Sequence, residues 1–582
     1  MTHFAGIGLG TTLAPGIIWA RMQDAGASRI TVEMVADAMK LSGLEFTDAE
    51  LKEMVTSANR NLTGYEEMRA IHIPNDVSPP FHFSPLVAGM DVGRKKLPFT
   101  LSAAPAVKRP AQLEDVAFWP VRHLAELVRT KQVTSLELTE MYLARLHRYN
   151  GKLNNVVTFL DDYGRAEARR ADAEIAAGRY KGPLHGIPWG AKDIISVKGF
   201  KTTWGSPAFK EQMFDYDASI VEMLRDAGAV LIAKLATGEL ASGDQWFGGQ
   251  TKNPWNLSQG SSGSSAGPSS ATAGGCVGFA IGTETSGSIL SPSARCGLAG
   301  LRPTFGRISR YGVMALSWTQ DRLGPIVRYA EDAAIVMQAV AKPDGRDMSV
   351  SDLPFNWNAQ TDVRKLKVGI IKESFDDITN PVAKTNADVS LEALRSIGVS
   401  QLIPVNVPEF TTNVSAINVE SVVFFDEHAR AGDMKEARNG GRPASRLVPA
   451  VEYLRAQRVR MMMMEKLAEA TRHVDVYLVG ANPFGDGGGR GRGEGRGEGR
   501  GDGRGASETP PRPQSATQRH FAMANLACYP AMNMPNGFLE TGSPTNFVIY
   551  GRPFGELDVI ALGKAYQDAA GFHLKKPAAL ET

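Results

Sequence analysis

The chain has 582 residues, 43% of them apolar and 22% charged, the balance of an ordinary globular protein with enough apolar side chains for a sizeable core. Lys plus Arg number 64 against 62 for Asp plus Glu, so no excess of either sign draws nucleic acid or anionic lipid to the surface as a whole. Three cysteines, Cys276, Cys296 and Cys528, stand far apart and away from any histidine cluster, which argues against a disulfide framework or a zinc site and for small buried apolar residues.

No run reaches the roughly 18 consecutive apolar residues of a membrane-spanning helix, so none is expected. Phe4 to Ala20, FAGIGLGTTLAPGIIWA, is uncharged and broken by Pro15. It resembles the apolar region of an export signal, although the basic segment that precedes such a region is missing. Residues 1–28 therefore read either as a signal-like segment or as a packed N-terminal arm. The location follows that choice: cytoplasmic, or exported if translation starts upstream with a signal sequence.

Residues 29–111 read as a helical appendage followed by an extended Pro-rich strap. Thr47 and Glu50 form a capping box, in which each side chain satisfies an amide of the first helical turn. Leu51, Met54, Val55, Ala58, Leu62, Tyr65 and Met68 then recur at helical spacing, an apolar face that needs a cover. The stretch HIPNDVSPPFHFSPL suits a strap lying across another surface better than a compact unit.

From residue 112 to the end, helix signals alternate with short apolar runs. VTSLELTEMYLARLHRYN predicts a helix with Leu136, Met141, Leu143 and Leu146 near one face. LHGIPWGAKDII, AVLIAKLAT and VGFAIGTE, each bounded by Gly or Pro, predict strands, and LKVGIIKE followed by VSLEALRSIGV extends the pattern. The alternation points to an α/β domain built on one large sheet. Residues 485–516 are the exception: over 485–505 glycine stands at nearly every other position with no apolar side chains to offset the entropy of ordering. They read as a disordered, solvated Gly/Arg-rich insertion rather than an RNA-binding segment, and no nucleic-acid partner is expected.

The sequence QGSSGSSAGPSSATAGG, Gln259 to Gly275, spells Gly-Ser-Ser twice and raises the question of which serine does chemistry. Gly263-Ser264-Ser265-Ala266-Gly267 fits the G-x-S-x-G elbow, which nominates Ser265. The context is wrong, because an elbow follows an apolar strand and the residues here are TKNPWNLSQGSS. Three separated segments are more specific. They are Gly186-Ile187-Pro188-Trp189-Gly190-Ala191-Lys192-Asp193, the Gly263–Gly267 loop, and Gly282-Thr283-Glu284-Thr285-Ser286-Gly287-Ser288-Ile289.

Together these segments resemble the amidase signature family. CGLAGLRPTFGRISRYGVMA, DRLGPIVRYAEDAAIV, NLACYPAMNMPNGF and PTNFVIYGRPFGELDVIALGKAY extend the likeness over roughly residues 112–575. The resemblance implies a large central mixed β-sheet flanked by helices, and a Ser-Ser-Lys triad that needs neither cofactor nor metal. Ser288 would be the nucleophile, Lys192 the base and Ser264, preceded by a cis peptide, the relay between them. Ser264 lies 24 residues before Ser288, the family's spacing, and Ser261 does not. Backbone N–H groups of Thr285, Ser286, Gly287 and Ser288 would hold the oxyanion.

For Lys192 to act as a base, burial must lower its pKa from about 10.4, and Asp193 must point elsewhere. Two departures stand out: Ser286 replaces a Gly of the family pattern, putting a Cβ into the loop, and Leu290 replaces an Arg, favouring a neutral or less polar amide. His185 reads as structural, and Arg295 and Asp321 as packing or salt-bridge residues. The implied activity is hydrolysis of a small-molecule amide through an acyl-enzyme. The alternatives are the glutaminase (A) subunit of a tRNA-dependent amidotransferase and an inactive amidase-fold binding protein. Residues 41–85 resemble the small C subunit of those amidotransferases. A dimerisation arm, giving a homodimer, is the other reading of that segment.

Overall fold

In the computed structural model, residues 29–42, 46–72, 82–412, 414–437, 448–480 and 514–580 are described. The signal-like segment at residues 1–28 and most of the Gly/Arg-rich insertion lie outside them; its last residues lead into a helix, Ala516–Leu526, that opens with a Ser515–Gln518 capping box. The four runs expected as strands are Pro188–Lys192, Val230–Leu235, Phe279–Glu284 and Val368–Ile371.

These belong to one sheet of eleven strands. In chain order they are β1 Val156–Phe159, β2 Pro188–Lys192, β3 Val230–Leu235, β4 Phe279–Glu284, β5 Ala299–Arg302 and β6 Arg322–Val327, then β7 Val368–Ile371, β8 Ile403–Pro404, β9 Val476–Val479, β10 Ala531–Phe538 and β11 Pro544–Gly551. Their spatial order is β1-β3-β2-β4-β6-β5-β10-β11-β9-β7-β8. The trios β3-β2-β4 and β9-β7-β8 run parallel and the other pairs antiparallel, so the sheet is mixed, as expected. Every residue of β2, β3, β4 and β6 is buried. That is why β2, β3 and β4 read as largely apolar runs rather than alternating ones.

Helices cover both faces, packed through two large apolar clusters. The helix Ser135–Leu153 opens on a Thr134–Glu137 capping box and buries Leu138, Tyr142, Leu143 and Leu146. Leu136 and Met141, expected on that face, lie at its rim and are partly buried. The helix Asp48–Arg69 begins at the expected box: Thr47 N–H donates to Glu50 Oε2 at 2.8 Å and Glu50 N–H to Thr47 Oγ1 at 3.4 Å. Its cover is a second helix, Val32–Ser42, with Val35 and Leu51 buried and the Asn59 side chain bonded to both Ile30 N–H (2.9 Å) and Ile30 C=O (3.0 Å).

Beyond residues 73–81, which lie outside the described set, the chain runs extended over the sheet domain. Phe83 meets Phe305 edge-on at 5.4 Å beneath the Arg460 guanidinium, 3.8 Å away. Farther along, Thr100 N–H donates to Trp357 C=O and Ala359 N–H to Thr100 C=O, both at 2.9 Å. Each of these amides would otherwise be an unpaired backbone group at a covered surface.

Candidate active site

Lys192 ends β2, the strand between β3 and β4, so its side chain emerges between two fully buried neighbours. Its Nζ donates to Ser264 Oγ and to Thr283 Oγ1, each at 2.8 Å. Lysine and serine are 0% and 1% exposed, and removal from water disfavours the ammonium form. Burial pulls the Lys192 pKa down to about 7, against the opposing pull of Asp321 and Glu284. The adjacent Asp193 faces away: its carboxylate accepts from Lys234 Nζ at 2.8 Å, from Thr203 N–H at 3.0 Å and from the Thr203 hydroxyl.

The Gly263–Ser264 peptide is cis. A Cβ on Gly263 would lie 1.8 Å from the Gly243 carbonyl oxygen, so only glycine fits there. One residue on, Ser265 N–H donates to Ser288 C=O at 3.1 Å, which ties this loop to the one carrying Ser288. The competing serines are otherwise engaged. Ser265 is 0% exposed and its hydroxyl donates to Thr283 C=O at 3.1 Å, while the strand before it, Asn256–Gly260, belongs to a two-stranded ribbon outside the main sheet. Ser261 is buried as well, with its hydroxyl donating to Ser262 C=O at 3.0 Å.

Ser288 is half-buried, and its hydroxyl makes no hydrogen bond among the described residues. The N–H groups of Ser286, Gly287 and Ser288 likewise find no acceptor there. The conformational demand of this loop falls on Gly287, at φ 93°, whereas Ser286 keeps a negative φ and an exposed side chain. A left-handed φ is what excludes a Cβ, so the Ser at 286 leaves the turn intact. Leu290 is 0% exposed within an apolar cluster that includes Ile371, Met463 and Tyr550. Its side chain belongs to the core and offers no charge at this position.

Below the loop, Glu284 and Arg302 form a fully buried ion pair at 2.9 Å. The other Glu284 oxygen accepts from Ile289 N–H (2.8 Å) and Leu290 N–H (2.9 Å), fixing the turn that follows Ser288. Burial pushes this carboxyl up, but Arg302, Arg322 and the two amides together hold it below the ordinary range. Glu284→Ala would strand Arg302 in the core and is expected to cost about 3–5 kcal/mol, read as a lowered urea midpoint. A loss under about 1 kcal/mol would contradict this account.

Three residues here were not expected at the site from sequence, one of them, Asp321, having been read as a packing or salt-bridge residue. Thr283 is the second partner of Lys192. Asp321 accepts the Thr285 hydroxyl at 2.5 Å, and Arg322 Nη2 donates to Thr285 C=O at 2.7 Å. Asp321 and Arg322 reach the loop because β6 pairs antiparallel with β4, placing Arg322 opposite Glu284. No local spacing signals that pairing.

Among the described residues no group of three His, Cys, Asp or Glu side chains is placed to hold a metal ion, and no helix is long and apolar enough to cross a membrane. Residues 137–560 match the family described as Amidase. The chain is 32% identical over 492 residues to the A subunit of the glutamyl-tRNA(Gln) amidotransferase of Roseiflexus castenholzii, covering 78% of this chain and 97% of that one. The corresponding protein of Geobacter metallireducens is 30% identical, with 78% and 98% covered. Among solved structures, the peptide amidase of Stenotrophomonas maltophilia superposes with a TM-score of 0.64 at 26% identity, covering 79% of this chain and 98% of that one. With nearly three quarters of its length inside the family match, the chain belongs to the amidase family, enzymes that act on carboxylic amide C–N bonds.

Proposed function

We propose that the chain hydrolyses a small-molecule carboxylic amide with Ser288 as nucleophile, Ser264 as proton relay and Lys192 as base. The observation that carries this reading is a fully buried lysine, its pKa near 7, donating to Ser264 at 2.8 Å. With Lys192 neutral, the Ser264 hydroxyl turns its proton toward Nζ and accepts the proton of Ser288 once that side chain rotates toward it. Ser288 Oγ then bonds to the amide carbon. Free N–H groups in the Thr285–Ser288 segment receive the oxyanion. On collapse the C–N bond breaks, the proton returns through Ser264 to the departing nitrogen, and the amine leaves. Water repeats the sequence on the acyl-enzyme and releases the acid.

The likeness to the amidotransferase proteins supports a second reading, glutamine hydrolysis within such a complex. The stand-alone reading is favoured because this chain carries its own helical pair and extended segment in front of the sheet domain. A panel of aryl, aliphatic and peptide C-terminal amides, assayed for released ammonia or amine on the chain alone, decides between them. Turnover without a partner, with a fluorophosphonate adduct mapped to Ser288, is the expected result. An adduct at Ser261 or Ser265, or activity that appears only with an added partner and tRNA, would overturn it.

A further inference from the structure

Arg322 opens β6 and is 2% exposed, with Nη2 donating to Thr285 C=O at 2.7 Å. The residue before it, Asp321, accepts the hydroxyl of the same Thr285 at 2.5 Å. Two consecutive residues thus hold Thr285 by its side chain and by its carbonyl. In a trans peptide the C=O and the following N–H point in opposite directions. Fixing the Thr285 carbonyl toward Arg322 therefore fixes the Ser286 N–H toward the opposite side, where it has no acceptor among the described residues. A hydrogen bond to an amide oxygen also polarises that amide's N–H and makes it the stronger donor.

The charge of Arg322 is not neutralised by direct contact. Its Nε and Nη1 are buried and have no hydrogen-bond partner among the described residues, and Arg322 is among the residues lining a cavity of about 50 Å³ with Thr283, Asp321 and Trp318. The nearby carboxylates are occupied: Glu284 by Arg302 and two amides, Asp321 by Thr285 and the N–H groups of Leu316 and Ser317. A guanidinium stays protonated throughout the working pH range, and in a buried setting its field is less screened than in water.

We propose that Arg322 is the positioning residue of the oxyanion loop: through a charge-assisted hydrogen bond to the Thr285 carbonyl it orients and polarises the Thr285–Ser286 peptide, whose N–H faces the developing negative charge. This rests on reading the segment 285–288 as the oxyanion donors, and it names what holds them. The interaction grows with charge on the substrate oxygen, so it acts on kcat rather than on ground-state binding.

The test compares Arg322→Met, Arg322→Gln and Arg322→Lys with wild type. Arg322→Met is expected to lower kcat about 10- to 100-fold at unchanged KM, somewhat less than removal of a direct oxyanion donor. Arg322→Lys, which keeps a cation and a donor, is expected to recover more than Arg322→Gln, which keeps only a donor. A boronic acid that forms a tetrahedral adduct with Ser288 should lose affinity in step with kcat, while the amine product or a non-reactive substrate mimic binds as before. Should the methionine variant fail to fold, the order of the lysine and glutamine variants decides. Equal kcat in the folded variants and wild type, or equal loss for the boronic acid and the ground-state ligand, overturns the proposal. Ser288→Ala is run alongside. Residual turnover there sinks the reading of the site itself, whereas a dead Ser288→Ala with unimpaired Arg322 variants sinks only the role of Arg322.

Discussion

Replacing Ser288 by alanine is expected to lower kcat by about 10⁴-fold or more, the loss seen when an acyl-transfer nucleophile is removed from a preorganised site. The side chain makes no hydrogen bond among the described residues and is half-buried, so its removal leaves no partner stranded. Stability should stay within about 0.5 kcal/mol of wild type. This combination separates a chemical role from a structural one. Ser265→Ala inverts it: the fully buried hydroxyl ties its loop to Thr283 at 3.1 Å, so its loss should cost about 1 kcal/mol and leave turnover measurable. Release of ammonia or amine, followed with a melting curve on each variant, reads both effects. A Ser288→Ala enzyme with a tenth of wild-type activity would end the assignment.

The second large effect belongs to Lys192 and to pH. Because its pKa lies near 7, the neutral amine required of a base becomes abundant only as pH rises through that value. Accordingly kcat/KM should climb through about pH 7 and level off above it. Lys192→Arg keeps the length and charge but cannot give up its proton, and Lys192→Met has no base at all. Both should lose about 10³-fold or more and show no rising limb near 7. The same shift has a sign in stability. The folded value lies below the usual 10.5, so between the two the unfolded chain binds the proton and the native site does not. Stability of wild type relative to Lys192→Met should therefore be lowest at and below pH 7 and increase toward alkaline pH. A flat difference between pH 7 and 9, or an activity profile without the rising limb, would refute a depressed Lys192.

Much of the fold was legible because the central strands are buried on both faces and announce themselves as largely apolar runs. β2, β3, β4 and β7 were expected from such runs, each flanked by Gly or Pro. β1, β5, β6, β8 and β9 were not singled out: all but β6 have four residues or fewer, and β8 has two. A short run differs little from any other apolar stretch until its partner is known. The helix face of Ser135–Leu153 was displaced in the expectation because Leu136 and Met141 weigh as heavily as Tyr142 in a count of apolar residues. Tyr142 takes the buried place through its hydroxyl, which donates to Ala117 C=O at 3.2 Å.

The site divides in the same way. Lys192, Ser264, Ser288 and the 285–288 loop come from glycine-rich segments whose order and spacing are visible in one dimension. Thr283, Asp321 and Arg322 matter through strand pairing, and the register of β4 against β6 is not written in either segment alone. The departure at Ser286 was read as a strain on the loop because sequence does not reveal which residue of a turn takes the positive φ. Gly287 takes it.

Arg302 gives the molecule an order of assembly. It sits only 14 residues after Ser288, yet its guanidinium donates to Tyr529 C=O at 3.1 and 2.8 Å and to Asn525 Oδ1 at 2.7 Å, more than 220 residues further on. On the ribosome, every residue assigned to the chemistry has been made long before the groups that seat this arginine exist. A nascent chain therefore carries the proposed serine and lysine without the scaffold beneath them, and fragments ending before the closing strands are expected to be inactive.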